Sequence, residues 1–101
     1  MTNNYSDYKL LPSAKSDLED IWLYTVDKWS IEQAAIYITQ ITEAFDSLVA
    51  GSKIGRDANY IRTGYYSALI GSHIAYYKIN NSTIEIVRIL HQRMYVEKHL
   101  S

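Results

Sequence analysis

Residues 30–51 read SIEQAAIYITQITEAFDSLVAG, and the way this stretch ends decides the fold. Ala34, Ile38, Ile41, Phe45 and Leu48 recur at three- and four-residue spacing, the apolar stripe of an amphipathic helix over about 31–50. Ser30 with Gln33 has the form of a capping box, Trp29 is placed to staple onto Ala34, and Gly51 supplies the stop. Beyond Gly51 the apolar period drops from that of a helix to that of a strand. After the polar loop GRDAN (55–59) come three strand-like runs, at about 60–69, 73–79 and 83–91. IGS (70–72) and NNS (80–82) separate them at turn-compatible lengths, so they form an antiparallel meander.

On the N-terminal side, YKLL (8–11) is a short strand ended by Pro12. Ser13 is placed to cap a helix whose Ala14, Leu18, Ile21, Trp22 and Thr25 share a face. Asp17, Glu19 and Asp20 fall early in it, where the helix dipole favours negative charge. The break at KWS (28–30) is short enough to make the two helices an antiparallel hairpin. The expected fold is α+β, in the order β-α-α-β-β-β. A helical hairpin covers one face of a small antiparallel sheet and leaves the other open. Most of the ten tyrosines lie in the strand-rich half, as a twisted sheet with a half-wet face would require.

With 101 residues the chain has material for one domain, 1–101. Its hydrophobic content of 48% against 21% charged residues excludes a disordered chain. There is no cysteine, hence no disulfide framework or thiolate metal site. The N-terminus MTNNYSDYKL is unlike a signal peptide and no run approaches a membrane span, so a cytoplasmic location is expected. The formal charge of −1 hides an asymmetry. Residues 1–50 carry three lysines against eight acids, a net of −5; residues 51–101 carry seven cations against three acids, a net of +4.

The run IVRILHQRM (86–94) poses the functional question. Arg88 stands among Ile86, Val87, Ile89 and Leu90, where a charge is costly unless it is paired or led out to water. Two placements follow: an ion pair with a helix carboxylate or Glu85, or a groove on the open sheet face. His91 and Arg93 continue a polar run outward from the strand end, which favours the groove. No glycine-rich phosphate loop, nucleophile elbow or metal-binding histidine pair is present, and His73, His91 and His99 are scattered. No cofactor or metal is expected. Arg88, His91, Arg93 and Tyr95 are the residue types that phosphodiester cleavage uses, a base, an acid and cations for the phosphorane charge.

The segments AKSDLEDIWLYTVDKW (14–29), QAAIYI (33–38), GRDANYIRTGYY (55–66), HIAYYKI (73–79) and IVRILHQRM (86–94) resemble, in order, the ParE toxins of bacterial type II toxin–antitoxin modules. These belong to the wider RelE/ParE superfamily. IRTGY (61–65) and RILHQRM (88–94) are the most specific pieces, and the superfamily fold is the one read above. The resemblance implies a growth-inhibiting toxin that poisons DNA gyrase and is silenced by a cognate antitoxin, ParD-like or other, through an acidic C-terminal segment. The alternatives are a ribosome-dependent messenger RNA endonuclease of the RelE type and an inactive homologue that only binds antitoxin. RelE-like members tend to carry extra cations on the second and third strands, whereas YYSALIGSHIAYY (65–77) has no lysine or arginine. That favours a gyrase inhibitor over an enzyme, with no catalytic residue assigned. Tyr95 departs from the acidic residue common there in ParE relatives and is shared with nucleolytic ones. Candidates for target contact are Arg56, Arg62, Arg88, His91, Arg93 and Tyr95; for antitoxin contact, Trp22, Tyr37 and Arg88. Neither membrane attachment nor sequence-specific nucleic-acid binding is expected.

Overall fold

Pro12 starts the first helix as well as ending the first strand. In the computed structural model, which describes residues 5–100, β1 (Asp7–Leu10) runs into α1 (Pro12–Lys28) with Leu11 as an extended N-cap. Proline at the first helical position has no N–H to satisfy and a φ already suited to the helix. Ser13, expected as the cap, therefore lies inside the helix. Residues 1–4, part of the stretch read as unlike a signal peptide, lie outside the described residues.

The helix α2 (Ile31–Ala50) starts at Ser30, whose Oγ accepts a hydrogen bond from the Gln33 N–H at 3.0 Å. It ends at Gly51 in the left-handed region, φ 84°, as expected. Trp29 does not staple onto Ala34; it is 75% exposed, and its N–H donates to Thr25 O to close α1.

The remaining elements are β2 (Arg56–Asp57), β3 (Tyr66–Ile70), β4 (His73–Asn80), β5 (Thr83–His91) and α3 (Glu97–Leu100). They form one sheet in the order β1-β5-β4-β3-β2. β3, β4 and β5 make the expected meander, but β1 joins β5 in parallel, so the sheet is mixed. β3 begins at Tyr66 rather than near Tyr60. Asp57 Oδ1 accepts the Asn59 N–H and Asn59 Oδ1 accepts the Gly64 N–H, each at 2.7 Å, and these local bonds fold the segment into turns.

The helices cover one face, where Ala14, Ile21, Ile41, Phe45 and Leu48 meet Ala75, Tyr77, Ile84, Ile86 and Ile89. The opposite face is not open as expected. Tyr76 and Leu90 there join Ala58, Tyr65 and Leu100 in a second apolar cluster, so the segment before β3 and α3 cover part of it.

A β-bulge explains the odd sequence of β5. Tyr76 lies opposite Arg88 and Tyr77 opposite Ile86, leaving Val87 without a partner. One extra residue resets the inward alternation, so Ile89 takes the helix-side place that regular pairing would assign to Arg88.

Candidate functional site

β5 outruns β1. Their register ends at Leu10 opposite Ile86, and after the Leu11 N–H donates to Ile86 O the chain turns into α1. Asp17, in the second turn of α1, replaces the missing strand: Oδ2 accepts the Ile89 N–H at 2.8 Å. The same carboxylate receives Arg88 in a two-pronged bond, Nε to Oδ2 at 2.7 Å and Nη2 to Oδ1 at 2.8 Å. Arg88 Nη1 donates to His99 O at 3.0 Å, tying β5 to α3. Bonding to Asp17 raises the guanidinium pKa further, against the effect of burial. Of the two placements open for Arg88, the ion pair with a helix carboxylate is the one present. The groove reading is corrected, because the bulge and the carboxylate hold the charge at the helix–sheet seam.

Glu85 has other partners, Lys9 at 3.3 Å and Lys78 at 3.8 Å, with Asn80 Nδ2 at 3.4 Å. Burial pushes its carboxyl up, but the bonds from Lys9 and Asn80 and the two lysine charges bring it below its ordinary value.

His91, at the end of β5, faces His73 across the ladder, ring centroids 5.3 Å apart and edge to face. His73 Nδ1 lies 2.6 Å from Tyr37 Oη, which also accepts the Ser72 N–H at 3.0 Å. Burial, and then the charge of His91, lower the His73 pKa to about 4, outweighing Asp17. The Tyr37 hydroxyl has one proton for two acceptors, Ile70 O at 3.3 Å and His73 Nδ1, and the tautomer of neutral His73 is set by which of them takes it. His91 Nδ1 accepts the Arg93 N–H at 3.1 Å. Tyr37 clasps α2 to the β3–β4 turn. Gly71 in that turn has φ +58°, and a Cβ there would stand 2.7 Å from the tyrosine ring.

Arg56, Arg62 and Arg93 are exposed. Tyr95 is 72% exposed, with Lys98 Nζ 5.7 Å from its ring centroid, so it does not pack on the sheet edge. Trp22 lines a groove of about 790 Å³ with Leu10, Leu18, Leu23 and Ile38. Tyr37 is not among its lining residues, so the two aromatic antitoxin candidates do not share that surface. No described helix is long and apolar enough to cross a membrane.

Residues 8–95 match the family model described as the ParE toxin of the type II toxin–antitoxin system parDE. The chain belongs to the ParE toxin family. It is 42% identical over 96 residues to Toxin ParE1 of Mycobacterium tuberculosis (strain H37Rv), covering 94% of this chain and 98% of that one. Toxin ParE1 of Caulobacter vibrioides is 36% identical over 93 residues, with 92% and 96% covered. Two solved structures share the fold at 22% identity. One, a chromosomal ParDE TA system from P. aeruginosa, has a TM-score of 0.73, with 89% of this chain and 98% of that chain covered. The other, the toxin–antitoxin complex RelBE2 from Mycobacterium tuberculosis, has a TM-score of 0.58, with 93% and 97% covered. The toxin's α+β fold of the RelE/ParE type is the one read from its sequence, with β2 and α3 added to the β-α-α-β-β-β order.

Sequence reasoning on this ParE-family toxin missed Asp17 as the partner of Arg88. The helix dipole does not account for Asp17, which lies beyond the first turn, where no acidic residue stands. The signal available was Arg88 itself, a strand arginine that required a carboxylate.

Proposed function

We propose that this toxin acts by poisoning DNA gyrase and that a cognate antitoxin keeps it silent. The observation that carries the choice of target is the cation distribution. From Tyr65 to Tyr77 there is no lysine or arginine, and Arg88 is already engaged by Asp17 and His99 O. Phosphodiester cleavage needs donors aimed at the phosphorane, each worth several kcal/mol of barrier. His73, neutral and bonded through Nδ1 to Tyr37, supplies no cation either. The antitoxin is supported by the family and by relatives solved as toxin–antitoxin assemblies. Its expected acidic segment suits the exposed Arg56, Arg62, Arg93 and Lys98.

The test is a gyrase supercoiling and DNA-cleavage assay run beside in vitro translation. Accumulation of cleaved DNA with intact message is the expected result. Codon-dependent cuts in ribosome-bound messenger RNA, with gyrase unaffected, would reverse the assignment to the RelE type.

A further inference from the structure

The two segments that cover the second apolar cluster carry the cations this molecule leaves uncommitted. In residues 51–101, Arg88 is held by Asp17 and Lys78 by Glu85. Arg56, Arg62, Arg93 and Lys98 are exposed, and none of them forms an ion pair among the described residues. Few acids share this half with them. Both oxygens of Asp57 are taken by Asn59, through its N–H at 2.7 Å and its Nδ2 at 2.8 Å. Glu85 lies between Lys9 and Lys78, which leaves Glu97. The two segments form one surface. Ile61 and Val96 pack against the same Ala58, Tyr65, Tyr76, Leu90 and Leu100. Burial raises the Tyr76 pKa, and the charges of Tyr60 and Glu97, one from each segment, add to it. Local bonds fix the backbone under both arginines: the Arg62 N–H donates to Ala58 O and the Arg93 N–H to His91 Nδ1.

We infer that in the gyrase complex this surface lies directly on the phosphate backbone of the cleaved DNA, held there by Arg56, Arg62, Arg93 and Lys98. The inference rests on the gyrase reading above and names what that reading leaves open, the group these cations meet. Duplex DNA presents one negative charge per about 1.7 Å of its axis and no positive charge between. A protein surface intersperses both signs and would set cations opposite some of the four. Four uncommitted cations beside one free carboxylate match the first and not the second. Three of the four are arginines, whose planar fork grips a phosphate with two N–H groups and keeps its charge. The helical hairpin, on the other face of the sheet, has six exposed acids against two exposed lysines. A duplex repels that face, so the same field that draws the sheet cover toward DNA turns the helices away. Phosphate contacts carry no sequence information, and no base-reading element is required. An acidic antitoxin segment on these cations excludes DNA from them, so covering this surface is a route to silencing.

The test compares the wild-type toxin with the doubly substituted Arg62→Ala, Arg93→Ala toxin in two assays on whole gyrase. The first follows the toxin concentration that half-traps cleaved DNA as salt rises from about 50 to about 200 mM. Each phosphate contact adds about 0.9 to the slope of log affinity against log salt, so two lost contacts remove about 1.8. The variant should trap more weakly than the wild type at low salt, and that gap should close about 12-fold over the interval. The salt response of gyrase itself is common to both toxins and cancels in the ratio. The second assay measures toxin binding to gyrase without DNA by biolayer interferometry, expected to be equal for both. Charge reversal, Arg62→Glu with Arg93→Glu, should abolish trapping and leave that binding as it is. Both side chains are exposed and unpaired, so the far-UV melts of all variants should match the wild type. Equal trapping by wild type and variant at low salt, or a gap that salt does not change, overturns the inference. So does a parallel loss of binding to DNA-free gyrase, which assigns the cations to a protein surface. A wild type that traps no cleaved DNA at any salt sinks the gyrase reading itself, whereas trapping that ignores these substitutions sinks only the inference.

Discussion

Arg88→Ala is expected to strike the fold harder than any surface change. The carboxylate left behind, Asp17, has a side chain 11% exposed and would keep one of its three donors, the Ile89 N–H at 2.8 Å. Removing one partner of a buried pair costs about 3–5 kcal/mol. The arginine side chain is 21% exposed, so water reaches the site and the lower end, about 3 kcal/mol, is the expected loss. A domain of this size holds about 5–15 kcal/mol in all, and each kcal/mol moves the melting point by about 4–8 °C. The variant should therefore melt roughly 12–24 °C below the wild type. Thermal and urea unfolding followed by far-UV circular dichroism would be run on wild type, Arg88→Ala, Asp17→Asn and the double variant. Asparagine removes the charge but keeps an oxygen for the Ile89 N–H, so the double variant should be more stable than Arg88→Ala alone. An unchanged melt for Arg88→Ala, or a double variant no better than the single one, would refute the reasoning.

Acid should weaken the toxin through His73. The unfolded histidine takes up its proton near pH 6.5 and the folded one only near 4, so its contribution is whole above 6.5, falls between 6.5 and 4, and is gone below. With allowance for partial exposure the loss is about 1–2 kcal/mol, and His73→Gln should flatten that part of a stability–pH curve. Gly71→Ala should cost about 1–3 kcal/mol, from the positive φ and the crowding against Tyr37, read as a lower urea midpoint. Tyr37→Phe leaves the Ser72 N–H and His73 Nδ1 without their shared partner; a loss of about 1–3 kcal/mol is expected, with far-UV signal intact. The antitoxin's association rate should fall as salt rises, measured by stopped flow, given the exposed cations of the C-terminal half.

The helical hairpin and the meander were legible because α2 announces itself twice, by period and by punctuation, whereas the two-residue β2 and the one-turn α3 carry no such signal. Ser30, Gln33 and Gly51 act as their types require, and Ala34, Ile41, Phe45 and Leu48 are buried as their spacing demands. Three further features were not legible. The pairing of β1 with β5 is a long-range choice that no local pattern encodes. The turns before β3 depend on Asp57 and Asn59 bonding to the backbone, which alternating apolar residues at 60–69 masked. The bulge at Val87 disguised Arg88, since a shifted register looks like a charge in a core run. For the candidate site, the residue types were found but not their grouping: Arg88 joins Asp17, Tyr37 joins His73, and Trp22 stands apart from both.

The first and last strands lie side by side, and Asp17 and Arg88 meet across 71 residues of chain. A polypeptide emerging from the ribosome holds β1 and α1 long before their partner on β5 exists. Contacts of such sequence separation form late and slowly, because the whole intervening loop must be closed first. The nascent chain therefore carries an unpaired Asp17 and an uncovered Ile21–Ile41–Phe45 surface until synthesis is nearly done. Interrupted translation of this toxin yields fragments without a completed sheet, and a cell makes the folded form only by finishing β5.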